Sequence, residues 1–580
     1  PLDCMILGQN ITRMLWLSLL LLPSFIASSV VHTPFGEVEG FAHLTEKDTP
    51  VHVFLGIRYG QPTNGSRRFQ KPEMVDKWAP SRIRAKKYGD SCHSFTASHV
   101  PKTIYSEDCL FINIITPKIG KANLPVFFYI HGGFFEAGSS TYFGYKTLAE
   151  KVASEGIVVV TINYRLGPFG FLSLGDSSAP GNMGLWDQTL ALRFARELLP
   201  SFGGDISRIT VGGHSAGSAS ASALQFSPHS NNLFSQSILL SGSSLAEFAQ
   251  SEWVVEESKE LLREFGCPVS STELGLDCLR QRSADEIREA VDMIGTSRRH
   301  PNVVKYNPRI DGDFFSLPIT ELAKTAPKKR TLAGATDQES ALFVMNEQMA
   351  WIAGIALTKE ERESFSREDL VDFIKTVVVT NEEHRESASA FRQLLIDFYA
   401  GSEDESKDST FYVQRYSDLN SDLQFLIPLY QEIGLNLKNN WPTFLYILQH
   451  NTRSFPREGF AVQGMYHGDE LQHFTDSFVL HPLKASEHDD HAFGAHFVSA
   501  IVNFIKYGDP SSPTFSWPQV TKAHPFQHAS ITVNMSLKKE AYRSDAVRLW
   551  LETIPRSVSA ELLRKSRLAG AESHILHTEL

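Results

Sequence analysis

Cysteine is scarce, five in 580 residues. A disulfide-stapled small scaffold is therefore excluded, and stability must come from a buried apolar core. A membrane-spanning run is also missing. The apolar stretch Leu15 to Ile26 is about twelve residues, against the roughly twenty that a span needs. No block of Lys and Arg stands out and the net charge is −11, so nucleic acid is not an expected partner. There is no acidic tail, no Gly/Ser-rich linker and no repeat at solenoid or propeller periods. What is there is ordinary globular composition, 42% hydrophobic and 21% charged, in a chain long enough to bury a large core. No boundary interrupts residues 30–565, which read as one large domain.

The two ends look like addresses. Arg13 precedes the apolar run, and the small residues Ala27-Ser28-Ser29 follow it. That is the pattern of a secretory signal peptide, so residues 1–29 are expected to be leader and signal. Because the chain opens on Pro1, residues 1–13 read as a translated leader, or translation starts at Met5. The final His577-Thr578-Glu579-Leu580 resembles the ER-retention tetrapeptides, which would make 566–580 a tail read by a retention receptor. The expected location is the ER lumen, with secretion as the alternative. The cysteines agree with an oxidising compartment. Cys4 would leave with the leader. The other four allow three connectivities, and pairing of sequence neighbours is expected: Cys92 with Cys109, and Cys267 with Cys278. Asn64-Gly-Ser and Asn534-Met-Ser are candidate glycosylation acceptors.

Short apolar runs alternate with helical patterns. Residues 126–130, 157–162, 209–211, 238–240 and 444–448 read as strands buried on both faces. Trp186 to Leu199 reads as a helix. Phe493, Phe497, Ile501 and Phe504 repeat at helical spacing before a Gly508/Pro510 stop. This alternation predicts an α/β fold with a large, mostly parallel twisted sheet flanked by helices. Residues from about 340 to 430 read as a charged, helix-rich insertion over it.

The strongest local signal is Gly213-His214-Ser215-Ala216-Gly217, between the strand ending at Val211 and the small-residue run Ser218–Ala223. A G-x-S-x-G in a strand–turn–helix context is a nucleophile elbow, the hallmark of the α/β-hydrolase fold. The glycines allow a sharp turn, and the helix start offers N–H groups to a developing anion. A serine needs a base to take its proton. His467, on the Gly-flanked loop Gly464–Leu471 beyond a late strand, is the candidate. An acid should fall between the two in chain order. Asp337 and Glu339, after the strand-like run Thr331–Ala335, both qualify, and these residues alone do not separate them. Gly132 and Gly133, directly after strand 126–130, could bring backbone N–H groups to an ester oxygen.

At this point the residues resemble one family, the type-B carboxylesterases, which include the cholinesterases. Phe54–Tyr59, Arg68-Phe69, Ser106–Asn113, Asn163–Gly167, Gly181–Gln188, Gly464–Glu470 and Asn503–Pro510 are similar to its motifs in their order, from about Val31 to Trp550. The resemblance implies a triad of Ser215, Glu339 and His467, since the family acid lies five residues after a glycine, here Gly334. It implies an oxyanion hole of Gly133, Phe134 and Ala216. It also implies that Ser241 hydrogen-bonds the acid, that Arg68–Glu107 and Arg165–Asp187 are structural ion pairs, and that the neighbour disulfides form.

Three departures from the family pattern bear on substrate. Phe134 stands where a third glycine is usual and would crowd the acyl site. His214 replaces the usual Glu before the nucleophile. The Cys92–Cys109 loop has no Trp, the residue that holds a choline cation in cholinesterases. The expectation is a serine carboxylesterase acting on neutral, fairly apolar, small-acyl esters. The alternatives are a narrower choline, hormone or lipid esterase, or a non-catalytic adhesion or binding relative. Such chemistry needs no cofactor. The cluster Glu487-His-Asp-Asp-His491 reads as a polar helix cap rather than a metal site.

Overall fold

The computed structural model describes residues 28–95, 104–295, 303–349, 354–381, 387–402, 407–450, 462–477 and 488–557. One thirteen-stranded sheet organises them. Its strands are β1 (Ser28–Thr33), β2 (Gly36–Leu44), β3 (Pro50–Arg58), β4 (Arg82–Arg84), β5 (Phe111–Thr116), β6 (Leu124–Ile130), β7 (Val158–Ile162), β8 (Gly204–His214), β9 (Gln236–Leu240), β10 (Arg330–Thr336), β11 (Thr443–Leu448), β12 (His528–Ile531) and β13 (Met535–Lys538). Across the sheet the order is β1-β2-β3-β5-β7-β6-β8-β9-β10-β11-β12-β13, with β4 beside β2. From β7 to β12 neighbouring strands are parallel. Antiparallel strands flank them on both sides. This is the α/β-hydrolase architecture.

The central strands are apolar because both faces are covered. Phe128 and Ile130 of β6 join the larger core, which also holds residues of the helices Met183–Leu198 and Ala216–Phe226. Phe127 and Tyr129, pointing the other way, meet Phe493, Phe497, Ile501 and Phe504 of the helix His488–Tyr507. The strand expected over 209–211 is longer, running 204–214, because its first half is only part-buried and lacks the apolar signature. The antiparallel strands β1 to β3 escaped periodicity for a similar reason: β2 alternates buried and half-exposed positions. β1 also starts at Ser28, pairing Ser28 with Phe41 and Ser29 with Gly40. It thus takes two residues from the segment expected to be signal peptide. The rest of that segment and the His577–Leu580 tail lie outside the described residues.

The register positions the site. Ile130 lies opposite Gly213, His214 opposite Leu240, Leu240 opposite Gly334, and Gly334 opposite Tyr446. Five neighbouring strands therefore release their chains at one rim, the carboxyl ends where such sheets carry their chemistry. Both expected disulfides are formed, Cys92–Cys109 and Cys267–Cys278, with Cα–Cα distances of 4.9 and 5.8 Å. Both ion pairs are present. Arg68 donates from Nε and Nη2 to Glu107 at 2.6 and 2.5 Å, and Arg165 to Asp187 at 2.8 and 2.7 Å.

Candidate active site

Ser215 occupies the turn between β8 and the helix Ala216–Phe226, with φ 59° and ψ −125°. A left-handed φ at a non-glycine residue is strained, and here it is locked by its surroundings. The Ser215 N–H donates to the Leu240 carbonyl at 2.9 Å. The following turn has no room for side chains: a Cβ on Gly217 would sit 2.1 Å from the Ile130 carbonyl oxygen. The helix behind begins with a run of Gly, Ser and Ala, residues 216–223, all buried. Small residues let it press against the sheet.

Two loops meet beside it. The chain leaving β10 lies against the chain around Tyr466. Gln338 N–H donates to the Met465 carbonyl at 3.1 Å, and Met465 N–H donates to Asp337 Oδ1 at 2.7 Å. Asp337 therefore anchors the histidine loop. Glu339 turns to the imidazole instead: its Oε2 lies 2.5 Å from His467 Nδ1, while Oε1 accepts the Thr336 N–H at 2.8 Å. Both side chains are buried, at 1% and 4% exposure. With Nδ1–H directed at the carboxylate, Nε2 is the basic nitrogen. It is buried and makes no hydrogen bond. No hydrogen bond joins it to Ser215 Oγ in this structure.

His131–Phe135 follows β6 at the same rim. A Cβ on Gly132 would stand 3.0 Å from Ser215 Cβ and 2.5 Å from the His214 carbonyl. Only glycine lets the backbone come this close. His131 holds the loop through Nδ1, 2.9 Å from the Gly132 carbonyl, and its ring stacks on Tyr164 at 4.5 Å. Burial pushes its imidazole down to about 4. Phe134 and Phe135 both have φ near +60°, where a side chain costs on the order of 1–3 kcal/mol. Phe134 is buried and meets Phe343 edge-on at 5.2 Å. Phe343 and Phe425 in turn lie 5.3 and 4.7 Å from the His467 ring. Neither was legible in the sequence, since both sit in the helix-rich insertion with no motif around them.

Ser241 does not make the hydrogen bond expected of it. Its N–H donates to the Gly334 carbonyl, but its Oγ is buried without a partner. The β10 register gives its backbone, not its hydroxyl, a role. Asn64 and Asn534 are exposed. The helix expected to begin near residue 491 starts at His488, so Asp490 lies in its first turn. It turns inward to His450, 2.6 Å from Nε2, and Glu487 lies outside the described residues. Among the described residues no group of His, Cys, Asp and Glu is arranged to hold a metal ion, and no helix is long and apolar enough to cross a membrane.

A nucleophile elbow on such a sheet, with an imidazole–carboxylate pair at the same rim, defines a serine hydrolase of the α/β-hydrolase fold. The chain belongs to the carboxylesterase family, whose profile matches residues 27–550. It is 33% identical to gut esterase 1 of Caenorhabditis elegans over 88% of this chain and 90% of that one. It is 32% identical to gut esterase 1 of Caenorhabditis briggsae, over 91% and 94%, and 28% identical to bile salt-activated lipase of Bos taurus, over 90% and 87%. It is a carboxylic ester hydrolase.

Proposed function

We propose that the protein hydrolyses neutral, fairly apolar esters with small acyl groups through an acyl-enzyme on Ser215. His467 Nε2 takes the hydroxyl proton as Oγ bonds to the ester carbon. The same proton passes to the departing alkoxide as the ester C–O bond breaks. Water then repeats the cycle, giving one proton to Nε2 and its oxygen to the acyl carbon, and Ser215 is regenerated. Glu339 holds the Nδ1–H tautomer and balances the imidazolium. Backbone N–H groups of Gly133, Phe134 and Ala216 face the oxyanion. The observation that carries the reading is the buried 2.5 Å Glu339–His467 bond with a free Nε2, at the rim where Ser215 stands.

Phe134 supports the small-acyl preference, because its buried ring packs on Phe343, which itself borders the His467 ring, in space that a glycine would leave open. The absence of a Trp in the Cys92–Cys109 loop argues against a choline ester. A fluorescent organophosphonate is expected to label the wild-type chain and not Ser215→Ala. The same substitution should lower kcat by about 10⁴-fold or more at unchanged melting temperature. Wild-type turnover by that variant would remove Ser215 from the mechanism. Residence in the ER lumen rests on the His577–Leu580 tetrapeptide. Deleting it should send the protein into the medium, and unchanged retention would refute the address.

A further inference from the structure

Behind the triad lies a second imidazole–carboxyl pair. His214 and Glu470 are 4% and 0% exposed, and Nε2 of one stands 3.5 Å from Oε1 of the other. Neither His214 Nε2 nor either Glu470 oxygen has a hydrogen-bond partner. The ring of His214 lies 4.4 Å from that of His467, so it forms part of the wall that holds the base. The groups around Glu470 are Glu339 after β10, its neighbour Asp469, His214 at the end of β8, and the phenols Tyr129 of β6 and Tyr446 of β11. Both phenol oxygens are buried and unpartnered as well.

Two nearby buried carboxyls do not both ionise. Glu339 has two donors, the Thr336 N–H and the His467 Nδ1–H. Glu470 has no side-chain donor and is approached only by the backbone N–H groups of Gly468 and of its own residue, neither in good hydrogen-bond geometry. It is accordingly the one that keeps its proton: burial first, then the Glu339 charge, push it well above the ordinary carboxyl range. Burial first, then His467, hold His214 well below the ordinary imidazole range. A neutral carboxyl is a donor, and a movement of about 0.7 Å would bring it to hydrogen-bond distance of Nε2.

We propose that Glu470 is a positioning residue for the ester hydrolysis proposed above: as the neutral acid it donates to Nε2 of His214, and so fixes His214 as an uncharged ring against which His467 is held. An uncharged His214 matters because His467 becomes cationic when it takes the Ser215 proton. A second cation at ring-contact distance would oppose that step.

The test compares Glu470→Gln, whose amide can still donate, with Glu470→Leu, which cannot. The glutamine variant should stay within about threefold of wild type in kcat, and the leucine variant should lose about tenfold in kcat with little change in KM, the size of effect expected when a buried acceptor loses its donor. Equal melting temperatures exclude misfolding. Independently of activity, the infrared spectrum at neutral pH should contain a protonated-carboxyl C=O band that Glu470→Gln removes. The proposal is overturned if glutamine is as damaging as leucine, if leucine is silent, or if no such band is lost. Failure of wild type to cleave any ester would instead sink the hydrolase reading, while the infrared result would still report on the pair.

Discussion

Two histidine–carboxylate pairs in this molecule have nearly the same length and opposite settings. His467–Glu339 is bonded at 2.5 Å and His450–Asp490 at 2.6 Å. All four side chains are buried, so neither distance nor burial distinguishes them. The difference is which nitrogen is engaged and what stands beyond the other. His467 spends Nδ1 on its carboxylate and leaves Nε2 without a hydrogen bond, on a loop at the rim that carries Ser215. His450 spends Nε2 and stacks its ring on Phe493 at 4.8 Å, against the helix His488–Tyr507. A hydrogen-bonded imidazole is thus not a base by virtue of its carboxylate. It becomes one when its free nitrogen looks toward a group with a proton to give.

The sharpest way to break this comparison is to neutralise both carboxylates. Glu339→Gln should lower kcat by about 10⁴-fold, the loss seen when the orienting acid of a triad becomes an amide, with little change in melting temperature. Asp490→Asn should do the reverse, leaving kcat within about twofold and lowering the melting temperature by a few degrees, since breaking a buried pair destabilises. Equal kinetic effects would show that the two pairs are not functionally distinct. Phe134→Gly should raise kcat/KM for long-acyl relative to short-acyl esters by about tenfold, the scale of discrimination a hydrophobic pocket provides. An unchanged acyl profile would mean that the ring does not border the acyl group.

The smallest effect concerns a third histidine, His131, whose folded-state value is pushed down to about 4 by burial. A depressed imidazole contributes stability that is fully present above its unfolded value of about 6.5 and is lost as pH falls through about 4. The drop in melting temperature between pH 6.5 and 4 should therefore be shallower in His131→Asn. Parallel curves for the two proteins would show that His131 does not contribute to acid sensitivity.

The parts of the site that could be read from the residues are those that local geometry enforces. The elbow was legible because a strand, a sharp turn and a tightly packed helix each leave a mark in adjacent residues. The parallel strands were legible because burial on both faces makes them continuously apolar. The flanking strands were not, since half-exposed alternation merges with ordinary surface composition. Asp337 and Glu339 stood on equal terms by composition, and only the family resemblance favoured Glu339. Phe343, Phe425 and Glu470 carried no signal of their chemical setting.

The chain's own order of residues determined the central apolar strands, the turn that holds Ser215 and the pairing of neighbouring cysteines, because each depends on residues close together along the backbone. Tertiary structure alone decided that Glu339 meets the imidazole while Asp337 ties down its loop, that Ser241 Oγ stays unbonded, and that His214 faces Glu470. Those outcomes depend on where separate segments leave the sheet and on which way each side chain turns there. Neither quantity is local, so neither is written in any short stretch of sequence.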